Sequence, residues 1–179
     1  MYQIIKQILK TGIKTETPPK ADDSLRAREQ QLREEILRHF GRTLTIRHVD
    51  AGSCNGCELE IHAVNNPYYN IEGLGIRFVA SPRHADMLLV TGPVSRHMET
   101  ALKRTFDATP APKLVVALGD CGCGNGIFGG DNYACVGKVA DAIPVDVAIP
   151  GCPPSPVAIL QGILAAVSGP KPEKPAASA

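Results

Sequence analysis

From Leu44 onward the chain alternates short apolar runs with amphipathic segments, and this pattern restricts its fold more than any other feature. LTIRHV at 44–49, IRFV at 76–79, MLLVT at 87–91, KLVVAL at 113–118 and VDVAI at 145–149 read as five strands. Their near-continuous apolar character is that of strands buried on both faces, so they predict a parallel sheet. Helical segments fall between them. One opens at Ser53 and stops at Asn66-Pro67, and one bears Met98, Ala101, Leu102 and Phe106. A short one is expected around 133–139. The last has Ser155 as N-cap, Pro156 at its first position and Ile159, Leu160, Ile163 and Leu164 inward. Strand–helix alternation of this kind gives a doubly wound α/β domain of three layers, Rossmann-like or flavodoxin-like.

Ahead of this domain, Met1, Ile4, Ile5, Ile8 and Leu9 recur at helical spacing. They form an amphipathic helix whose apolar face either docks on a partner or a membrane surface, or folds back on the chain's own domain. TGIKTETPPK reads as a linker, and a second helix over 24–40 places Leu25, Leu32, Ile36 and Phe40 on one side. The expected organisation is a helical extension at 1–41, an α/β domain at 42–168 and a disordered Pro/Ala/Lys-rich tail at 169–179.

Folds of this class bind ligands beyond the carboxyl ends of their strands, and there the cysteines gather. Cys54 and Cys57 follow the first strand, Cys121 the fourth, and Cys152 the fifth. Core cysteines would have no reason to prefer strand ends. Cys54 and Cys57 stand at i, i+3 beside a helix start, where thiolate is favoured. Gly56, Gly119, Gly122 and Gly151 permit close backbone approach, and Pro150 and Pro153-Pro154 stiffen the loop of Cys152.

Four thiolates suit a [4Fe–4S] cluster or a structural zinc ion. Structural zinc staples small lobes through two close-spaced pairs, whereas these ligands span most of a domain, so iron–sulfur is the better reading. A thioredoxin-like pair would leave Gly-Asp-Cys121 and the Pro-Gly-Cys152-Pro-Pro loop without purpose. Cys123 stands as an alternative to Cys121, which spacing does not resolve. Cys135 reads as a small buried hydrophobe within the helix expected around 133–139.

Other functions are excluded. A net charge of +1, 4% aromatic residues and no Trp leave no nucleic-acid surface. No apolar run is long enough to span a bilayer, and the first ten residues make no secretory signal, which predicts a cytoplasmic location. GNGIFG at 124–129 matches the dinucleotide fingerprint but neither opens a helix nor has an acid ending the next strand, so NAD binding is rejected.

GSCNGCELEI, SPRHADMLLVTGPV, ALGDCGCGNGIFGG and VDVAIPGCPPSP, in this order over 44–167, resemble the small subunit of membrane-bound, energy-converting [NiFe] hydrogenases of the formate hydrogenlyase type. The same family includes the B subunit of complex I. The resemblance implies that Cys54, Cys57, Cys121 and Cys152 hold one [4Fe–4S] cluster and that Cys123 is not a ligand. It also implies an electron-transfer role, the catalytic nickel–iron centre lying in a partner subunit. Complex I members carry adjacent cysteines in the first motif, whereas Cys54-Asn-Gly-Cys57 is similar to the hydrogenase branch. The implied partners are a hydrogenase large subunit, a ferredoxin-like iron–sulfur subunit and membrane-arm subunits, on the cytoplasmic side of the cell membrane. A zinc-stabilised interaction module and a quinone-linked member of the complex I branch are the alternatives. Glu58 and Glu60 are read as helix-start acids or proton-relay groups. Arg83 and Asp86 are expected to brace a loop or an interface, and His62 and His84 to lie at the surface or an interface.

Overall fold

The computed structural model describes residues 2–12, 23–128 and 132–169. Met1, most of the expected linker, Gly129 and the expected tail beyond Gly169 lie outside the described residues, as do the side chains of Leu25 and Phe40. In chain order the elements are α1 (Tyr2–Thr11), α2 (Asp23–Phe40), β1 (Leu44–Asp50), α3 (Gly56–Val64), β2 (Ile76–Phe78), β3 (Met87–Thr91), β4 (Val94–Ser95), α4 (Arg96–Ala108), β5 (Leu114–Leu118), α5 (Gly119–Cys123), β6 (Cys135–Gly137), α6 (Val139–Ala142), β7 (Val147–Ile149) and α7 (Pro156–Ser168).

The five expected strands form one parallel sheet in the order β2-β1-β3-β5-β7. Every residue of β3 and β5 is buried, as their unbroken apolar sequences require when helices cover both faces. On one face Leu44, Ile46, Leu89 and Val116 pack against Leu32 and Ile36 of α2, Ile61 of α3, and Ile159 and Ile163 of α7. On the other, Leu88, Val90 and Val115 meet Leu102 of α4 and Val139 beside Ile143 at α6. The three-layer α/β architecture is thus observed. Burying a side chain of this size is worth roughly 1.5–3 kcal/mol, so these two clusters dominate the stability of the domain.

Ser155 and Ser95 cap α7 and α4 by accepting from the Ala158 and Met98 backbone N–H groups, at 3.4 and 3.3 Å. Two expectations fail. The residues around Cys135 form a strand, not a helix: β6 pairs antiparallel with β4 in a separate two-stranded sheet, which the sequence reading missed. Asn132 Oδ1 accepts from the Ala134 and Cys135 N–H groups, fixing a turn, and Gly137 at φ 134° lies outside helical conformations, so α6 starts only at Val139. Cys135 is nevertheless buried, as expected. The second failure concerns α3, which begins at Gly56 behind Asn55 in the left-handed conformation, φ 71°. Ser53 is not its cap, and Cys54 precedes the helix.

Candidate metal centre

The sheet order reverses direction between β1 and β3, and in doubly wound folds ligands bind in the crevice at that point. A cavity of about 170 Å³ opens there. Its walls are the loops after β1 (Gly52, Ser53, Cys54, Cys57), β3 (Gly92, Pro93), β5 (Asp120, Cys121) and β7 (Gly151, Cys152, Pro153), with Phe128 at one side. Cys54, Cys57, Cys121 and Cys152 therefore share one cavity although nearly a hundred residues separate the first from the last. Cys54 and Cys152 are exposed, and Cys57 and Cys121 are half-buried.

Each loop is held by its own polar contacts. Asp50 Oδ1 accepts from the Gly52 and Ser53 N–H groups at 2.8 Å, turning the chain sharply off β1. Ser53 Oγ accepts from Asn55 N–H at 3.1 Å and donates to Glu58 Oε2 at 2.6 Å. Asp120 joins the second and third cysteine loops. Its Oδ1 accepts from Gly151 N–H at 2.7 Å, and its own N–H donates to the Gly151 carbonyl at 2.8 Å. Its carbonyl in turn accepts from the Asn125 and Gly126 N–H groups, folding the following loop back over Cys121.

Glycines make room for sulfur. A Cβ on Gly119, which sits at φ +87°, would lie 2.5 Å from Cys57 Sγ. One on Gly126 would lie 2.5 Å from Cys121 Sγ, and one on Gly56 3.5 Å from Cys54 Sγ. Gly151, at φ +136°, would instead drive a Cβ into Pro154, and Gly122 makes only ordinary contacts. The expected close backbone approach to the site thus holds for Gly119, which abuts Cys57 Sγ, and for Gly56 and Gly151, which line the cavity, while Gly122 does not line it. Gly126 was missed: its signal lay in the glycine run dismissed as a dinucleotide fingerprint. Phe128, also missed, donates its backbone N–H to Cys121, which partly offsets the rise that burial imposes on that thiol.

Burial first, and then the Glu58 carboxylate and the neighbouring cysteines, push Cys57 up to about 12. Thiols so placed hold their protons until a cation offsets the clustered negative charge. Cys123 points elsewhere. Its Sγ lies 3.9 Å from the Ala117 carbonyl and it does not line the cavity; burial raises its thiol as well. Beneath the cavity Glu58 is buried, its Oε1 3.5 Å from His48 Nε2 and without a hydrogen bond. His48 Nε2 also lies 3.0 Å from Thr91 Oγ1, and burial lowers its pKa. Glu60 is half-buried, and His62, Arg83 and His84 are at least partly exposed.

The residues fit a metal group held by thiolates. Four soft thiol donors surround a cavity whose walls are glycine where sulfur stands.

The family model described as NADH ubiquinone oxidoreductase, 20 Kd subunit, matches residues 54–166. The chain is 42% identical over 146 residues to the probable membrane-bound hydrogenase subunit mbhJ of Pyrococcus furiosus, covering 82% of this chain and 87% of that one. It is 41% identical to formate hydrogenlyase subunit 7 of Escherichia coli over 84% of this chain, spanning only 57% of that protein's length. It is 43% identical to the B subunit of the NADH-quinone oxidoreductase of Citrifermentans bemidjiense, over 60% of this chain and 62% of that one. Among solved structures, a chain of the membrane-bound sulfane sulfur reductase, an archaeal respiratory membrane complex, superposes with a TM-score of 0.60 at 33% identity, covering 74% of this chain and 71% of the other. A chain of an NAD+-reducing [NiFe]-hydrogenase shares the fold, with a TM-score of 0.56 at 18% identity over 75% and 97% of the two chains.

Proposed function

The chain belongs to the NADH ubiquinone oxidoreductase 20 Kd subunit family of oxidoreductase subunits, and from that premise we propose that it relays electrons through one [4Fe–4S] cluster in a hydrogenase complex. Residues 42–168 are the cluster-binding unit, and Cys54, Cys57, Cys121 and Cys152 are the ligands. The carrying observation is that these four cysteines, from three separate loops, face one glycine-walled cavity. When bound, such a cluster takes up and releases one electron without bond rearrangement in the protein.

The chain's own residues fix the setting. Asp120 holds the Cys121 and Cys152 loops at one spacing, so little of the cradle need reorganise as charge changes. The Phe128 N–H, directed at Cys121, stabilises negative charge on that sulfur. The buried Glu58 opposes further negative charge beside Cys57. The large subunit with the nickel–iron centre, a ferredoxin-like subunit and membrane-arm subunits are the proposed neighbours, on the cytoplasmic side of the cell membrane. Cys54-Asn-Gly-Cys57 favours the hydrogenase branch over a quinone-linked one, and the mbhJ relative supports it.

The test is anaerobic purification of the chain, by itself for iron and sulfide analysis and with co-expressed neighbours for the identity of its partners. The expected result is a brown protein with about four iron and four sulfide per chain and an EPR signal on reduction. A colourless chain holding one zinc ion overturns the reading. A co-purifying large subunit without paired CxxC motifs overturns the hydrogenase assignment alone.

A further inference from the structure

α1 is the only α-helix among the described residues in which nothing is buried. At 3.6 residues per turn, Tyr2, Ile4, Ile5, Ile8 and Leu9 share one arc, and Gln3, Lys6, Gln7, Lys10 and Thr11 the other. The apolar arc stands open to solvent: Ile4 is 63%, Ile8 63% and Leu9 80% exposed. A ten-residue helix without packing is marginal in water, so this one needs a surface beneath its apolar side.

The polar arc says which surface. It contains no acid, and residues 1–15 contain none either, while Lys6, Lys10 and Lys14 supply cations. Over the whole chain the net charge is only +1, so this is a local concentration of charge. A protein groove would accept the isoleucines but gives no reason for an opposite side of lysines, amides and a threonine without one acid. An anionic bilayer accounts for both. The apolar arc enters the headgroup–acyl boundary, the lysine stems reach out to lipid phosphates, and Tyr2 sits at the edge. No described helix is long and apolar enough to cross a membrane, so attachment in the plane of the bilayer is the mode open to α1. We infer that α1 is an interfacial anchor for anionic lipid, a property independent of the cluster reading.

The experiment is co-sedimentation of the purified full chain with vesicles of phosphatidylcholine alone or with added phosphatidylglycerol. Binding is expected only with phosphatidylglycerol, weakening with salt. Lys6→Gln with Lys10→Gln lowers partitioning roughly 30-fold, at about 1 kcal/mol per cation. Ile5→Gln with Ile8→Gln abolishes it. Both double variants keep the parent's melting temperature and iron content, so failure here and failure of the cluster reading are told apart. The proposal is overturned if the parent chain stays in solution with anionic vesicles, or if it binds neutral vesicles equally well. It is also overturned if the isoleucine variant binds like the parent, or if that variant instead loses a self-associated dimer or a co-purifying protein while vesicle binding was never present.

Discussion

The two ends of the parallel sheet are built to opposite purposes. At the amino end, polar groups satisfy one another. Asp86 Oδ2 accepts from the Thr45 N–H and Oγ1 at 3.1 and 2.7 Å, Oδ1 accepts from Arg42 at 2.6 Å, and Asp146 accepts from Val115 N–H at 2.7 Å. At the carboxyl end Asp50 and Asp120 are used in the same way, yet four thiols face a cavity and Glu58 Oε1 has no hydrogen bond. One edge of a doubly wound sheet can thus be optimised for stability while the other keeps its donor atoms available. Asp86 fulfils the expectation of a loop brace, whereas Arg83 stands at the surface.

The sharpest way to break this comparison is Gly119→Ala. Its Cβ would meet Cys57 Sγ at 2.5 Å on a backbone of positive φ, so cluster content should fall from full occupancy to a trace, measured as iron per chain. Near-normal iron would show that the cradle does not depend on that gap. Thiol reactivity comes next. In the cluster-free chain at pH 8, a thiol titrating near 12 is thiolate in only about one molecule in ten thousand. Because its pKa is raised, Cys57 gains reactivity only as pH climbs towards that value. Mass spectrometry of alkylated protein should find the exposed Cys54 and Cys152 modified well before it.

Asp86→Ala should cost about 1–2 kcal/mol, through the part-buried Thr45 N–H it leaves without its side-chain acceptor rather than the mostly exposed Arg42, and leave iron content unchanged. Denaturant melts check the first half and metal analysis the second; iron loss would mean the two edges are coupled. The smallest effect belongs to Cys123→Ser, expected to cost about 1 kcal/mol or less with full iron retained. Loss of iron there would reinstate Cys123 as a ligand in place of Cys121.

The sequence disclosed the core almost completely, because unbroken apolar runs such as Met87–Thr91 admit few other placements, and of the amino end it disclosed Asp86 but not its partners Arg42 and Thr45, nor the contact of Asp146 with Val115. Ser155 and Pro156 were equally legible, since capping is local chemistry. The carboxyl end was legible in its cysteines and less so in its cradle. Asn55 takes the left-handed conformation and delays α3, while Ser53 is engaged by Glu58, a contact between side chains that no propensity encodes. The β4–β6 pair is two to three residues long and joins segments some forty positions apart, too short for periodicity to register. Gly126 showed itself only when the loop folded back on Asp120.

The order β2-β1-β3-β5-β7 carries one more consequence. Neighbouring strands stand about 4.8 Å apart by hydrogen-bond geometry alone. The loops bearing Cys54 and Cys121 leave strands two steps apart, with β3 between them, and the loop bearing Cys152 leaves the next strand along. The span of the cavity is therefore a backbone quantity, common to every sequence that adopts this sheet. Side-chain substitution can change what the cradle grips and how tightly, but the ruler that sets its width is the peptide bond.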